Sequence, residues 1–220
     1  MESSALWQAG CRWLGRDART GAQLDQPSVD GWSTAEIGRL TASAQMYGFH
    51  ATLKAPFHLA QGCTVQQLTG AIQELAARTR AFVLPQLEVR SLDGFLALQP
   101  QRADARLSAL ADASVTELDH FRAPPSADEL AQRRAVGLSA RQQQLLGQFG
   151  YPYVLDQFRF HMTLTERLPP VQTKRLRPWL VEYLTDALAL PVRCDDLCLF
   201  VQRRRGEAFV LQQRFPLDIR

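Results

Sequence analysis

Two short segments of the sequence place a histidine and a threonine among apolar residues in the same order. The first is Phe49-His50-Ala51-Thr52-Leu53-Lys54, and the second is Phe160-His161-Met162-Thr163-Leu164-Thr165. Both follow the pattern F-H-x-T-L-[K/T], and their histidines are 111 residues apart, one in each half of the chain. Internal similarity at this distance indicates two related lobes.

These residue types suit acid–base chemistry at a phosphate ester. Imidazole titrates near neutral pH, so one histidine can begin as a base while the other begins as an acid. We therefore predict His50 and His161 as the catalytic pair, and the sequence leaves open which is which. Satisfied structural histidines are the alternative. The hydroxyls of Thr52 and Thr163 are predicted to bind phosphate oxygens, although β-branched residues also simply suit strands.

Each segment is predicted to form a β-strand, in which side chains alternate between two faces. One face of the first strand then carries His50, Thr52 and Lys54, and one face of the second carries His161 and two threonines. A polar face of this kind is costly when it is buried without partners. The pattern therefore favours two strands that line a cleft for an anion.

Two further residues near the first histidine are predicted to contact substrate. The chain has 23 arginines and only two lysines, Lys54 and Lys174. A lysine at position 54 indicates a need for a compact ammonium group, which would stabilise charge on the phosphate. A solvated lysine is the alternative. Tyr47 is predicted to stack on a base or sugar, with packing as its alternative.

Composition sets limits on the class of protein. The 220 residues are 46% hydrophobic and 21% charged, with a formal net charge of +3, which is ordinary for one globular domain or two small lobes. This charge is too small for a dedicated duplex-DNA-binding protein. The sequence has no run of about 18 apolar residues and no signal-peptide pattern in residues 1–7. We predict a cytoplasmic protein whose four cysteines are free thiols.

The remaining patterns predict an α+β fold with largely antiparallel sheets. An Asp93-Gly94 turn is predicted to join two of the strands, and a kink or break is predicted at Pro178. The sequence has neither a G-x-x-x-x-G-K-[ST] loop nor a G-x-G-x-x-G turn, so it gives no support for those nucleotide sites. Helices are predicted over 3–14, 34–46, 64–80, 104–121, 126–150 and 173–188, and strands over 49–57, 82–89, 95–98, 158–165, 192–203 and 207–215.

The chain resembles the two-histidine (2H) phosphoesterase superfamily, whose hallmark is a pair of H-x-[T/S] motifs around a central cleft. Residues 47–57, Ser4-Ala5-Leu6-Trp7 and residues 13–17 look most similar to the branch of this superfamily that is linked to phosphonate metabolism. The resemblance implies a single bilobal domain, with lobes over about 1–100 and 101–220 and an antiparallel sheet in each. It also implies His50 and His161 as the acid–base pair, phosphate binding by Thr52 and Thr163, and no metal or cofactor.

From these residues and this resemblance we predict a metal-independent phosphoric diester hydrolase. Its substrate would be a cyclic phosphate or phosphodiester of a small sugar phosphate or nucleotide. Two alternatives stay open: an RNA 2',3'-cyclic phosphodiesterase, and a protein that binds a phosphate ligand without turnover. RNA is the less favoured partner, because we find no basic track interleaved with aromatic residues. A metallohydrolase lacks a ligand motif, no membrane partner is expected, and the oligomeric state is open.

Overall fold

The computed structural model describes residues 4–135 and 137–219, which contain groups of consecutive helices and groups of consecutive short strands. Two single-turn 3-10 helices lie at Asp119–Phe121 and Leu155–Gln157. The α-helices are α1 (Ala5–Leu14), α2 (Thr34–Tyr47), α3 (Val65–Arg78), α4 (Ala105–Thr116), α5 (Ala127–Arg134), α6 (Ala140–Phe149) and α7 (Pro170–Leu188).

The strands form three small sheets, and every pairing between these strands is antiparallel. The largest sheet has the order β2-β3-β4, and the other two pair β1 with β5 and β6 with β7. The mixed fold with antiparallel sheets agrees with the predicted class. The strands are β1 (Phe82–Val83), β2 (Leu87–Leu92), β3 (Phe95–Pro100), β4 (Met162–Arg167), β5 (Arg193–Cys194), β6 (Asp196–Val201) and β7 (Val210–Pro216).

Local capping signals explain where the helices of the first half begin. Ser4 accepts a hydrogen bond from the Trp7 N–H at the start of α1. Ser33 and Thr64 form capping boxes at the starts of α2 and α3, in which a side chain three residues later bonds back to the cap. Helices are therefore found close to their predicted ranges. Ser3, where the first helix was predicted to begin, lies outside the described residues.

The turn between β2 and β3 is the predicted two-residue hairpin. Leu92 pairs with Phe95, and both residues between them have positive φ, 48° at Asp93 and 92° at Gly94. Left-handed backbone at both central positions is the turn whose twist matches that of a hairpin. The register that follows carries through to Leu87 paired with Pro100.

Strand β4 joins this hairpin with a local irregularity near the second histidine. Ala97 pairs with Thr163, whereas Phe95 pairs with Arg167, so β4 has extra residues opposite Leu96. The Leu96 N–H donates instead to the hydroxyl of Thr165 at 2.9 Å. Thr165 is almost fully buried, and its hydroxyl oxygen accepts the hydrogen bond that a backbone carbonyl of β4 would accept in a regular sheet.

The main core lies between the β2-β3-β4 sheet and helices α1, α2 and α7. Trp13 of α1 is fully buried there, and its indole N–H donates to the Leu164 carbonyl of β4 at 2.7 Å. Its ring lies 5.6 Å from that of Trp179 in α7. A single side chain thus connects two helices to the strand that follows His161.

Several of the predicted elements differ in the structure. The strand predicted over 82–89 divides into β1 and β2 of two different sheets, and the one predicted over 192–203 divides into β5 and β6. The strand predicted over 158–165 begins only at Met162, so His161 lies directly before β4. Residues 49–57 form no strand, because the chain bends at residue 49 and again at residues 53 and 54. The helical region predicted over 126–150 divides into α5 and α6, and Val136 between them lies outside the described residues. Helix α7 continues through Pro178 without the predicted break.

The sheets draw strands from both halves of the sequence. Strands β2 and β3 lie before residue 101 and pair with β4 from the second half. Strand β1 pairs with β5 in the same way, and α3 packs against β6 and β7. The predicted lobe boundary near residue 100 remains a prediction. Among residues 4–135 and 137–219, no helix is both long and apolar enough to cross a membrane.

The Trp13 contact can be tested by substitution. Trp13→Phe removes the hydrogen bond to Leu164 and leaves a void, so we expect a loss of about 1–3 kcal/mol in the free energy of unfolding. Urea denaturation measures it. The control is Trp179→Phe, because the Trp179 indole makes no hydrogen bond among the described residues. An equal loss in both variants would show that the Leu164 bond contributes nothing specific.

Candidate functional site

The backbone at Gly48 determines where the first histidine lies. Gly48 ends α2 with φ 82° and ψ 169°, and a Cβ added to it would be 2.5 Å from the Cβ of Ala18. Both the torsion angles and the close approach require glycine. The Gly48 carbonyl accepts a hydrogen bond from Nδ1 of His50 at 2.9 Å. Since a carbonyl only accepts, His50 carries a proton on Nδ1.

The second ring nitrogen of His50 faces the threonine of its own motif. Nε2 lies 2.8 Å from Oγ1 of Thr52. In the neutral imidazole this nitrogen accepts the hydroxyl proton, and in the imidazolium it donates to the hydroxyl oxygen. This bond forms within the irregular segment between the bends at residue 49 and residues 53–54. The hydroxyl of Thr52 therefore bonds to His50, whereas the predicted strand would have directed both side chains from one face towards a ligand.

Aromatic rings surround His50 and hold its orientation. The Tyr47 ring stacks on Phe209 at 4.9 Å and lies nearly parallel to the His50 ring at 6.3 Å, while Phe200 lies 5.1 Å from His50 on a different element. Tyr47 is 40% exposed, so one part of its ring stays available to a ligand. The buried guanidinium of Arg16 donates to the Phe209 carbonyl at 2.7 Å and ties this cluster to the end of α1.

The second histidine has the same backbone anchor as the first. Nδ1 of His161 donates to the carbonyl of Arg159 at 2.7 Å, again two residues earlier in the chain. Its ring packs at 5.6 Å against Phe95 of β3. Within the part of the chain that the structure describes, neither Nε2 of His161 nor the hydroxyl of Thr163 has a hydrogen-bond partner, so both are available to a ligand.

The two imidazoles are close enough to interact electrostatically. Burial lowers the pKa of His50 from its ordinary 6.5; the hydrogen bond to Gly48 opposes this shift, and the charge of His161 adds to it. His50 is therefore neutral at pH 7 in the free protein. The structure thus brings His50, Thr52, Tyr47 and His161 into one neighbourhood.

Lys54 points to a different set of groups. Its ammonium donates to the Val115 carbonyl and to the carboxylate of Asp119, both at 3.0 Å, and only 10% of the side chain is exposed. Arg122 binds the same carboxylate with two hydrogen bonds of 2.9 Å. Burial raises the pKa of Asp119, but these bonds outweigh it and the net shift is downward. Lys54 therefore completes a largely buried ion network between the first motif and α4.

A small cavity lies beside this network. Its volume is about 20 Å³, and its lining includes Lys54, Arg122, Val115 and Tyr151. That is room for about one water molecule. Burial raises the pKa of the Tyr151 hydroxyl, and the nearby Tyr47 adds to this effect. The cavity therefore adjoins the histidine region without being large enough for a substrate.

Three contributors to this site were not predicted from the sequence. The carbonyls of Gly48 and Arg159 anchor the two histidines, and the ring of Phe200 packs on one of them. A backbone carbonyl has no sequence signature. Phe200 occurs in a predicted strand, where an aromatic residue indicates packing equally well. Among the described residues, no group of three or more His, Cys, Asp or Glu side chains is arranged to hold a metal ion.

Comparison with known proteins assigns a family. A family described as "Protein of unknown function (DUF1045)" matches residues 52–210, which is more than two thirds of the chain. The chain belongs to the DUF1045 family. The DUF1045 match includes Thr52, His161 and Thr163, and it begins two residues after His50.

Two curated proteins are similar to this DUF1045 chain along nearly its whole length. One, from Janthinobacterium sp. (strain Marseille), is 38% identical over 222 residues, covering 99% of this chain and 49% of its own length. The other, from Laribacter hongkongensis (strain HLHK9), is 38% identical over 209 residues, covering 95% and 48%. Both are named ribose 1,5-bisphosphate phosphokinase PhnN. The chain therefore spans about half the length of these relatives.

These names correct the predicted function. We predicted a phosphoric diester hydrolase, with an RNA 2',3'-cyclic phosphodiesterase among its alternatives. The relatives are named for a phosphokinase, which transfers a phosphoryl group and does not hydrolyse a diester. The hydrolase prediction is contradicted. The residue types alone could not decide the reaction, because a pair of histidines near a phosphate is compatible with more than one phosphate reaction.

The interaction between the imidazoles predicts a titration. His50 should titrate below pH 6.5, and in His161→Gln its pKa should rise because a neighbouring positive charge is gone. NMR of the ring protons measures both values. Because the folded-state pKa is depressed, the associated stability is complete above pH 6.5 and declines as the pH falls. An unchanged pKa in His161→Gln would mean that the rings do not interact.

The two lysines of the chain offer a matched pair of substitutions. Lys54→Met leaves Asp119 with one cationic partner and Val115 with no donor, so we expect a loss of about 1–3 kcal/mol in the free energy of unfolding. Lys174→Met alters an exposed side chain and should change it by less than about 0.5 kcal/mol. Guanidinium denaturation of both variants decides the matter, and similar losses would show that the Lys54 network is not stabilising.

Proposed function

We propose that this DUF1045 chain binds the sugar phosphate in a phosphoryl-transfer system that acts on ribose 1,5-bisphosphate. The substrate class comes from the names of the two relatives, which the chain matches over about half of their length. The ligand would occupy the neighbourhood of His50 and His161. The observation that carries the proposal is the shared anchor, in which each Nδ1 donates to a carbonyl two residues earlier.

The anchors determine which atoms a phosphate would meet. With Nδ1 bonded to the backbone in both histidines, Nε2 of His161 is the ring atom that remains for a ligand, whereas Nε2 of His50 faces the hydroxyl of Thr52. A protonated Nε2 and a threonine hydroxyl both donate to phosphate oxygens, and bonds from a charged donor are the stronger ones. His161, directly before β4, and Thr163 on β4 supply this pair of donors. After α2, a protonated His50 would donate from Nε2 to Thr52 and so leave the hydroxyl proton of Thr52 for a phosphate oxygen.

This arrangement fits the physical demands of phosphoryl transfer. Such reactions depend mainly on positioning and on electrostatic stabilisation of the phosphoryl oxygens, with little covalent chemistry for the protein to perform. Fixed imidazoles and hydroxyls meet both demands. The sequence contains no G-x-x-x-x-G-K-[ST] loop, so our proposal for this chain concerns the sugar phosphate and assigns no P-loop to the phosphoryl donor.

The aromatic neighbours support a sugar at this position. Tyr47 is partly exposed next to His50, and its ring face can pack on the apolar face of a ribose. We retain from the sequence the proposals that the architecture is that of the two-histidine superfamily and that the protein works in phosphonate metabolism, which the PhnN relatives support. A cytoplasmic setting is proposed in view of the four free cysteines.

Calorimetric titration with ribose 1,5-bisphosphate and ribose 5-phosphate tests the proposal. We expect both to bind, and we expect His161→Asn and Thr163→Val each to weaken binding by about tenfold, which corresponds to roughly 1.4 kcal/mol. Affinity should increase as the pH falls towards 6, because the anion favours protonated imidazole. Binding should also take up protons in the wild type.

The matched control is His58→Asn, because His58 is exposed and outside both motifs. It should bind both sugars as the wild type does. Circular dichroism and thermal melting of each variant separate loss of the site from loss of the fold. Equal binding of unphosphorylated ribose, or unaltered binding in both His161→Asn and Thr163→Val, would remove the proposal.

A further inference from the structure

A second group of cationic side chains lies on the sheet edge beside α7. An open groove of about 510 Å³ runs between β2 and the first half of this helix, and it is lined by Arg90, Ser91, Thr173, Lys174, Arg177 and Pro178. None of these residues belongs to the two histidine motifs. The volume is in the range of pockets that bind small ligands, about 300–1,000 Å³.

The charge of this groove is strongly positive. Three of its six lining residues are cations, and its carboxylate neighbour is Glu88, which forms an ion pair with Arg90. Among the described residues, Lys174 makes no hydrogen bond or ion pair. The other lysine of the chain, Lys54, by contrast forms an ion pair with Asp119. The ammonium of Lys174 is therefore available to an anion from solution, whereas Arg90 already shares its charge with Glu88.

The backbone holds the cations in place around the groove. Nε of Arg177 donates to the Val89 carbonyl at 3.0 Å, which fixes the guanidinium against the edge of β2 and leaves its terminal nitrogens for another acceptor. Arg90 lies directly after this carbonyl. Lys174 and Arg177 are three residues apart in α7 and so lie on the same side of the helix. The three cations thus converge from two different elements.

The lining also indicates what kind of anion would fit. Besides the cations it offers the hydroxyls of Ser91 and Thr173, which donate to phosphate oxygens, and it has no aromatic ring or amide side chain that would read a base. Three clustered cations match a compact chain of phosphate groups better than a single phosphate. We propose that this groove is a binding site for a short polyphosphate, such as the phosphate chain of a nucleoside triphosphate or inorganic triphosphate.

The site is separate from the proposed sugar-phosphate site. Arg90 pairs with Ala97, and Ala97 pairs with Thr163, so two strand spacings, or about 10 Å, separate Arg90 from the second motif. Ala97 between them is fully buried. Lys174 lies on α7, outside both histidine motifs, so a substitution of Lys174 tests the groove independently of His161.

Calorimetric titration with inorganic triphosphate tests this proposal. We expect binding by the wild type that weakens as salt increases, and a loss of at least about tenfold in Lys174→Glu, which reverses one of three charges. Lys174 is exposed and has no partner among the described residues, so this variant should fold normally. Parallel titrations with ATP and GTP distinguish the sources. Equal affinities would identify the phosphate chain as the recognised part, whereas tighter binding of one nucleotide would overturn base-independent recognition.

The matched control is Arg205→Glu, which reverses a charge in the exposed Arg203-Arg204-Arg205 hairpin tip. It should leave triphosphate affinity unchanged. An equal loss in Arg205→Glu would show that only the overall charge matters. Absence of triphosphate binding would overturn the proposal. Binding of a single-stranded RNA of 20 nucleotides, or of phosphatidylserine vesicles, without binding of triphosphate would overturn it as well. Neither result depends on whether ribose phosphates bind at His161.

Discussion

The hydrogen bond between the Trp13 indole and the Leu164 carbonyl joins the parts of the molecule on which the rest depends. It connects residues 151 positions apart, and it is fully buried. On one side it holds α1, whose C-terminal glycine leads into the loop carrying Arg16 and Ala18. On the other side it holds β4, which follows His161. A polar bond in such a core strongly disfavours any other register, because an unpaired indole or carbonyl there would be costly.

The environment of the first histidine follows from that arrangement through backbone contacts. Ala18 approaches Gly48 so closely that only glycine fits, and its carbonyl accepts a hydrogen bond from the Leu211 N–H. The Phe209 N–H donates to the Met46 carbonyl in the last turn of α2. The loop after α1, the end of α2 and the start of β7 are thus bound together behind His50. Its imidazole is therefore held by backbone structure from three regions of the sequence.

The sequence predicted what local rules control. The helices predicted over 34–46 and 64–80 and the Asp93-Gly94 turn depend on residues within a few positions of one another, and the structure confirms them, with Ser33 and Thr64 as the helix caps. The strand predicted over 49–57 failed because tertiary contacts at Gly48 override its alternating pattern. The role of Lys54 could not be predicted for the same reason, because its partner Asp119 is 65 residues away. In the sequence, a lysine that pairs with a carboxylate cannot be distinguished from a lysine that binds a phosphate. The proximity of the two histidines is supported by the electrostatic effect of His161 on the pKa of His50. Their carbonyl anchors could not be predicted, because a backbone carbonyl is present at every residue.

The assembly of β4 onto the β2-β3 hairpin has a consequence for how the chain acquires its structure. Strand β3 has one edge in the hairpin, and its other edge pairs with β4, residues 162–167. During synthesis, that edge stays uncovered until more than 60 residues after β3 have been made, and until then the apolar face of α1 also lacks its contact with β4. Folding that depends on such distant pairings is slow, because loop closure must precede the contacts that reward it. The nascent first half is therefore the state of this protein in which a chaperone has the most exposed apolar surface and strand edge to protect.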